Sequence, residues 1–255
     1  MSTFVIVAGA WGGGWEWTPV ARLLRRRGHE VFTPTLTGMG ERAHLLPDEP
    51  VGLGTHVDDI VALLQFEQLD AVILCGASYG GMPVTAAADR APARIRLVVY
   101  IDALVPRHGQ SALDLLPGPF GDVVREGLKE HGPHWRLPLP DGLRDALLPP
   151  GSLPDDDRAA YLARVRDHPA ASFVEPVALT GAVDRLRRAF IRCTTTEFTE
   201  ELGGDPIEAA AGRAPAVGWP YRVRGAPPAP QGFNPKGTAK LLEAWADAES
   251  PRTET

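Results

Sequence analysis

Short apolar runs alternate along the first 105 positions with stretches in which apolar residues recur every three or four. Phe4-Val5-Ile6-Val7-Ala8 contains no polar position, as a strand buried on both faces requires, and it ends in Gly9 and the run Gly12-Gly13-Gly14. From Trp17 to Arg27, Val20, Leu23 and Leu24 fall at helical spacing until Gly28 stops the pattern. Val31-Phe32, closed by Pro34, gives a second strand. Val57 to Leu64 predicts a helix with Val57, Ile60, Val61 and Leu64 on one face and Thr55 as its cap. Ala71 to Cys75 reads as a third strand, Pro83 to Arg90 as a helix and Leu97 to Ile101 as a fourth strand. Strands separated by helices imply right-handed crossovers and a parallel sheet.

The rhythm then loosens. Residues 106–186 are rich in Pro and Gly, with short helical stretches at Asp122–Lys129 and Asp155–Asp167. It resumes with Ala189–Cys193 as a strand, Trp219–Val223 as another and Pro235–Ala246 as a final helix, capped by Asn234 with Pro235 at its first position. An irregular segment of about 80 residues spliced into an α/β sheet reads as a lid over a site. The expected organisation is a core of residues 1–106 and 187–255, with about six strands flanked by helices, and a cap of residues 107–186. There are no internal repeats.

Composition narrows the function classes. Hydrophobic residues make up 44% of the 255 and charged residues 23%, as in soluble globular chains. Lys plus Arg number 26 against 32 Asp plus Glu, a net charge of −6. The one basic cluster, Arg25-Arg26-Arg27, suits the solvated end of a helix, so nucleic acid is not an expected partner. Cys75 and Cys193 lie inside apolar runs and read as buried free thiols of a reducing compartment. Two cysteines and scattered histidines give no metal framework, and no metal or cofactor is expected. With no signal-like N-terminus and no run near the ~20 apolar residues of a membrane span, the chain reads as soluble and cytoplasmic, without a membrane partner. The partner expected is a small-molecule substrate, and assembly as a homodimer is compatible with this reading.

The sharpest chemical signal is Gly76-Ala77-Ser78-Tyr79-Gly80-Gly81, between the strand 71–75 and the helix 83–90. In a strand–GxSxG–helix arrangement the serine sits on a tight turn that lifts its hydroxyl above the carboxyl edge of the sheet, a nucleophile elbow. A second signal, Ala8-Gly9-Ala10-Trp11-Gly12-Gly13-Gly14-Trp15, follows the first strand. Its Ala10 N–H, with that of Tyr79, is a candidate oxyanion hole. Trp11, Trp15 and Trp135 are candidates to line an apolar substrate pocket, with His131 beside them.

These strings, with Pro34-Thr35-Leu36-Thr37-Gly38-Met39-Gly40-Glu41-Arg42-Ala43-His44-Leu45, Tyr100-Ile101-Asp102-Ala103-Leu104-Val105-Pro106 and Phe190–Thr194, resemble the α/β-hydrolase superfamily. The resemblance is to small esterases similar to plant methyl esterases and hydroxynitrile lyases. It implies an α/β-hydrolase fold and a Ser–His–acid triad with Ser78 as nucleophile. Two departures stand out. Ala8-Gly9 occupies the place of the family's usual His-Gly, and Pro228 occupies that of the catalytic histidine, His168 being the last histidine of the chain. Where the resemblance places the acid, Thr194-Thr195-Thr196 precede Glu197, and Asp102 is the other candidate acid.

A serine without its base is a poor nucleophile, so three readings stand. One is a non-hydrolytic lyase or cyclase acting on a carbonyl- or ester-bearing small molecule, of a natural-product kind, through Ser78 and the two amides. The second is an esterase or thioesterase with a displaced base. The third is a ligand-binding protein, similar to plant hormone receptors of this fold. His29, His44, His56 and His168 read as structural. Among the lid histidines, His134, braced by Trp135, is the expected proton carrier above Ser78.

Overall fold

Alternate residues of each central strand point to opposite faces, and helices cover both. In β1 (Thr3–Val7), Phe4 and Ile6 join one apolar cluster while Val5 and Val7 join the other. The same division runs through β3 (Val72–Ala77), β4 (Ile95–Ile101) and β7 (Arg188–Cys193). On the first face, Val20, Ala21 and Leu24 of α1 (Thr18–Arg26) pack with Ala239, Leu242 and Trp245 of α9 (Pro235–Ala248). The second is covered by α2 (Leu53–Phe66), α3 (Gly81–Arg90) and residues of the segment between β4 and β7.

The computed structural model describes residues 1–45, 48–116, 118–148, 150–193, 207, 219, 221–224 and 234–248. Its main sheet is an α/β-hydrolase-type parallel array in the order β2-β1-β3-β4-β7-β8, with β2 at Glu30–Phe32 and β8 at Tyr221–Arg224. The chain steps from β1 to one neighbour, β2, and returns on the other side as β3. The carboxyl ends of β1 and β3 therefore flank the point where strand order reverses, the crevice where open α/β sheets bind ligands. Among the described residues no helix is long and apolar enough to cross a membrane.

Between β4 and β7 the chain leaves the sheet. This insert holds α4 (Ala112–Leu115), α5 (Pro119–His131), α6 (Asp141–Leu147), α7 (Asp155–Leu162) and α8 (Ala171–Val174). A two-residue antiparallel ladder joins β5 (Arg136–Leu137) to β6 (His168–Pro169). Two element boundaries differ from the sequence pattern for identifiable reasons. Thr55 lies inside α2 and Gly52 is its cap, because the buried Leu53 and His56 extend the inward face by a turn. The helix expected over Asp155–Asp167 stops at Leu162, and the Arg166 N–H donates instead to the Trp11 carbonyl at 3.1 Å.

Asn234 caps α9, its Oδ1 accepting from the Gly237 N–H at 2.9 Å. Asn234→Ala is expected to cost about 1 kcal/mol and Asn234→Gly only a few tenths. Urea unfolding of the two variants checks this, and no loss in Asn234→Ala would mean that the cap bond contributes nothing.

Candidate active site

Ser78 immediately follows β3 and has φ of 48°, a left-handed conformation rare outside glycine. Such a backbone persists only where its surroundings enforce it. The Leu104 N–H donates to the Ser78 carbonyl at 3.0 Å, tying the turn to the segment after β4. The other restraint is close approach to the end of β1. A Cβ on Gly80 would lie 2.6 Å from the Ala8 carbonyl oxygen, and one on Gly9 would lie 3.1 Å from Ser78 Cβ. Only glycine at both places lets the two backbones meet.

Ser78 and Tyr79 open a 3-10 turn that runs into α3, so their N–H groups have no partner within it. Among the described residues, no backbone acceptor takes the N–H of Tyr79 or that of Ala10. The half-buried Ser78 hydroxyl thus stands near the Ala10 and Tyr79 N–H groups, which no described backbone acceptor takes.

The Tyr79 side chain turns inward and is buried. Its ring packs edge-on against His168 at 4.7 Å and His56 at 5.8 Å, and against Phe173 at 5.3 Å. The hydrogen bonds assign both imidazole tautomers. His56 Nε2 faces the Thr37 carbonyl at 3.1 Å and must carry the proton, so Nδ1 accepts from the Tyr79 hydroxyl at 2.9 Å. His168 Nδ1 faces the Trp11 N–H at 3.5 Å, and Nε2 donates to Ser172 Oγ at 2.8 Å, whose own proton goes to the Pro169 carbonyl. Both rings are neutral. Burial holds His56 down to about 4 and His168 well below the ordinary imidazole range, where His56 and Arg136 depress it further.

Trp11, with φ of 62°, belongs to the same cluster, near Phe120, His168 and Phe173 at 6.0–6.1 Å. Its indole N–H donates to the Leu137 carbonyl at 3.0 Å, and its own carbonyl accepts from Arg166. With the N–H bond to His168, Trp11 therefore bonds the loop after β1 to the insert at three points.

Asp102 takes in β4 the place that Ser78 takes in β3, since Ile101 pairs with Ala77, and it too has a positive φ, 46°. Its carboxylate is buried and accepts from Arg192 Nη1 at 2.5 Å and the Cys193 N–H at 3.0 Å. Burial pushes its pKa up to about 6 against the pull of Arg192.

The sequence candidates thus divide. Ser78, Tyr79, Ala10, Trp11 and Asp102 gather at the carboxyl ends of β1, β3 and β4. Trp15 lies to one side, its ring edge-on to Tyr161 at 4.8 Å. His131 and His134 are exposed at the end of α5 and in the turn after it. Trp135 folds back over Gly127 and meets the His131 ring at 5.5 Å. Pro228 and Glu197 lie outside the described residues. The sequence reading missed the partners Arg192, Ser172 and Phe173, which no local pattern marks.

Residues 4–232 match the model of the alpha/beta hydrolase family. A carbendazim hydrolyzing esterase of Nocardioides is 53% identical over 117 residues, 46% of this chain and 48% of the relative. An alpha-hydroxynitrile lyase of Arabidopsis thaliana is 32% identical over 130 residues, 47% of this chain and 48% of the relative. The matched stretch thus spans about half the length of the esterase and of the lyase. Methylesterase 18 of A. thaliana is 28% identical over 214 residues, 74% of this chain and 77% of the relative. Among solved structures, an extracellular alpha/beta-hydrolase from a Paenibacillus species superposes with a TM-score of 0.74 at 22% identity, covering 96% of this chain and 98% of that one.

The buried imidazoles set an acid limit. A folded-state pKa of about 4 for His56, below its ordinary 6.5, means that the unfolded chain binds a proton the folded chain refuses. Its contribution is fully present above pH 6.5 and is lost as pH falls toward 4, by up to about 1.4 kcal/mol per pH unit. Urea midpoints at pH 7, 5.5 and 4.5 should fall along this course, and His56→Gln should flatten it. An unchanged slope in His56→Gln would show that this ring does not control it.

Proposed function

Because the chain belongs to the alpha/beta hydrolase family, we propose that it is an enzyme that holds the carbonyl group of a small molecule at Ser78. The observation that carries this is the meeting of a half-buried serine hydroxyl in a strained conformation with two amides that no described backbone acceptor takes, at the switch point of the sheet. A carbonyl oxygen between the Ala10 and Tyr79 N–H groups would be polarised, and negative charge developing on it stabilised, at no cost in reorganisation. The insert, residues 107–186, is the lid in this reading and carries Trp135 and His131, while Trp11 and Trp15 belong to the loop after β1; these four are the substrate-binding residues proposed.

The chemistry we assign first is non-hydrolytic, an elimination or cyclisation. Removal of a proton from the carbon beside the carbonyl gives an enolate whose oxygen the two amides hold, with the Ser78 hydroxyl as a third donor. No acyl-enzyme is needed. Supporting it is the supply of bases: His56 and His168 are neutral and committed on both nitrogens, and Pro228 stands where the resemblance puts the catalytic histidine. Asp102 and His134 are the proton carriers proposed. The second reading, an esterase with a displaced base, is favoured by the 53% identical stretch shared with the carbendazim hydrolyzing esterase.

Nitrophenyl acetate separates them. The first reading expects hydrolysis at least ~10³-fold slower than by a relative with a complete triad, in line with losses on removing a triad base. It also expects exchange of the α-protons of a β-keto ester into D2O, read by NMR and lost in Ser78→Ala. Asp102→Asn and His134→Ala identify which group moves that proton. Rapid ester turnover that disappears in Ser78→Ala would select the esterase instead.

A further inference from the structure

Glu16 is a buried carboxyl to which the reading above gives no part. It follows the glycine run that begins two residues after Ala10, and its carboxyl is packed so closely on Gly12 that any side-chain carbon there would overlap it. Two donors reach it from different parts of the fold. The Gly13 N–H comes from the loop itself, and the Tyr161 hydroxyl comes from α7 of the insert. The surroundings reinforce the junction, with the Trp15 and Tyr161 rings 4.8 Å apart and the Arg164 guanidinium 5.4 Å above the Trp15 ring.

We propose that Glu16 is a positioning residue whose buried carboxyl fastens α7 of the lid to the loop bearing the Ala10 amide. Its bearing on turnover rests on the assignment of Ser78 and Ala10 given above, whereas the fastening itself does not.

The physics gives the junction a direction. Sealed against α7, the carboxyl has lost its water, and burial pushes its pKa from 4.5 up to about 7 while Tyr161 and Gly13 pull it back. Lifting α7 would rehydrate the group and restore its ordinary acidity, so opening releases a proton. The ratio of fastened to open forms is therefore highest below pH 4.5 and falls, by up to about tenfold per pH unit, as pH rises toward 7. Tyr161 is the ionisable group bonded to Glu16 among the described residues, and Arg164 lies over its neighbour Trp15. Glu41, His44, Arg164 and Arg166 line the open cleft of about 530 Å³ beside Trp15.

Amide hydrogen exchange of residues 155–166, corrected for its intrinsic pH dependence and referenced to β1 and β3, tests the proposal without any substrate. Protection of α7 in the wild type is expected to fall tenfold or more between pH 5.5 and 7.5 while the strands stay unchanged. Glu16→Gln accepts both hydrogen bonds through its amide oxygen but has no proton to lose, and should stay protected throughout. Tyr161→Phe should lose protection already at pH 5.5. Wild-type protection that does not change with pH, or a dependence that survives in Glu16→Gln, would overturn the proposal. A dependence that disappears in His44→Gln would assign the switch to that ring and overturn it as well. Failure here leaves the Ser78 reading untouched, because that reading stands or falls on loss of α-proton exchange in Ser78→Ala.

Discussion

Two backbones meet without a side chain between them at the carboxyl ends of β1 and β3, and the rest of the site depends on that contact. Gly80 lies against the Ala8 carbonyl and Gly9 against Ser78, which leaves the serine no relaxed conformation and holds it at positive φ. From that one turn follow the partial exposure of the hydroxyl, a Tyr79 amide that no described backbone acceptor takes, and the inward direction of the Tyr79 ring. The ring in turn packs with His56 of the core and with His168 and Phe173 of the insert, which Trp11 bonds as well. The strain at Ser78 is thus balanced by a buried aromatic layer that spans core and insert.

The polar groups beneath this layer share one electrostatic condition: burial suppresses their charge. His56 and His168 are deprotonated, Glu16 is pushed toward neutrality, and burial pushes Asp102 up to about 6 against the pull of Arg192. An interior of low dielectric strengthens whatever dipoles are aimed into it. A carbonyl ligand at Ser78 would meet fixed donors.

Much of this was legible in the sequence because the central strands are buried on both faces and so carry unbroken apolar runs. The GxSxG string located Ser78, and Asn234-Pro235 located the start of the last helix. What could not be read are pairings between distant residues. Glu16 and Tyr161 are joined across 145 positions, Trp11 and His168 across 157, and Asp102 and Arg192 across 90. None of these lies in a repeating pattern, because each depends on how the insert folds back. The β5–β6 ladder, two residues on each side, is too short to leave a period. The end of the helix at Leu162 follows from a hydrogen bond to Trp11, which a local propensity cannot register. Pro228 and Glu197 are known only through the resemblance.

On the insert's side, two of the three bonds that Trp11 makes use main-chain atoms, the Leu137 carbonyl and the Arg166 amide, and the third uses the His168 imidazole. Every residue type carries the first and all but proline the second. The insert is thereby free to drift in sequence at positions 137 and 166 without unfastening there, while position 168 is held to its imidazole. A scaffold built in this way permits its covering segment to be exchanged for one of different composition, so that the range of molecules admitted could diverge among relatives while the turn at Ser78 stays as it is.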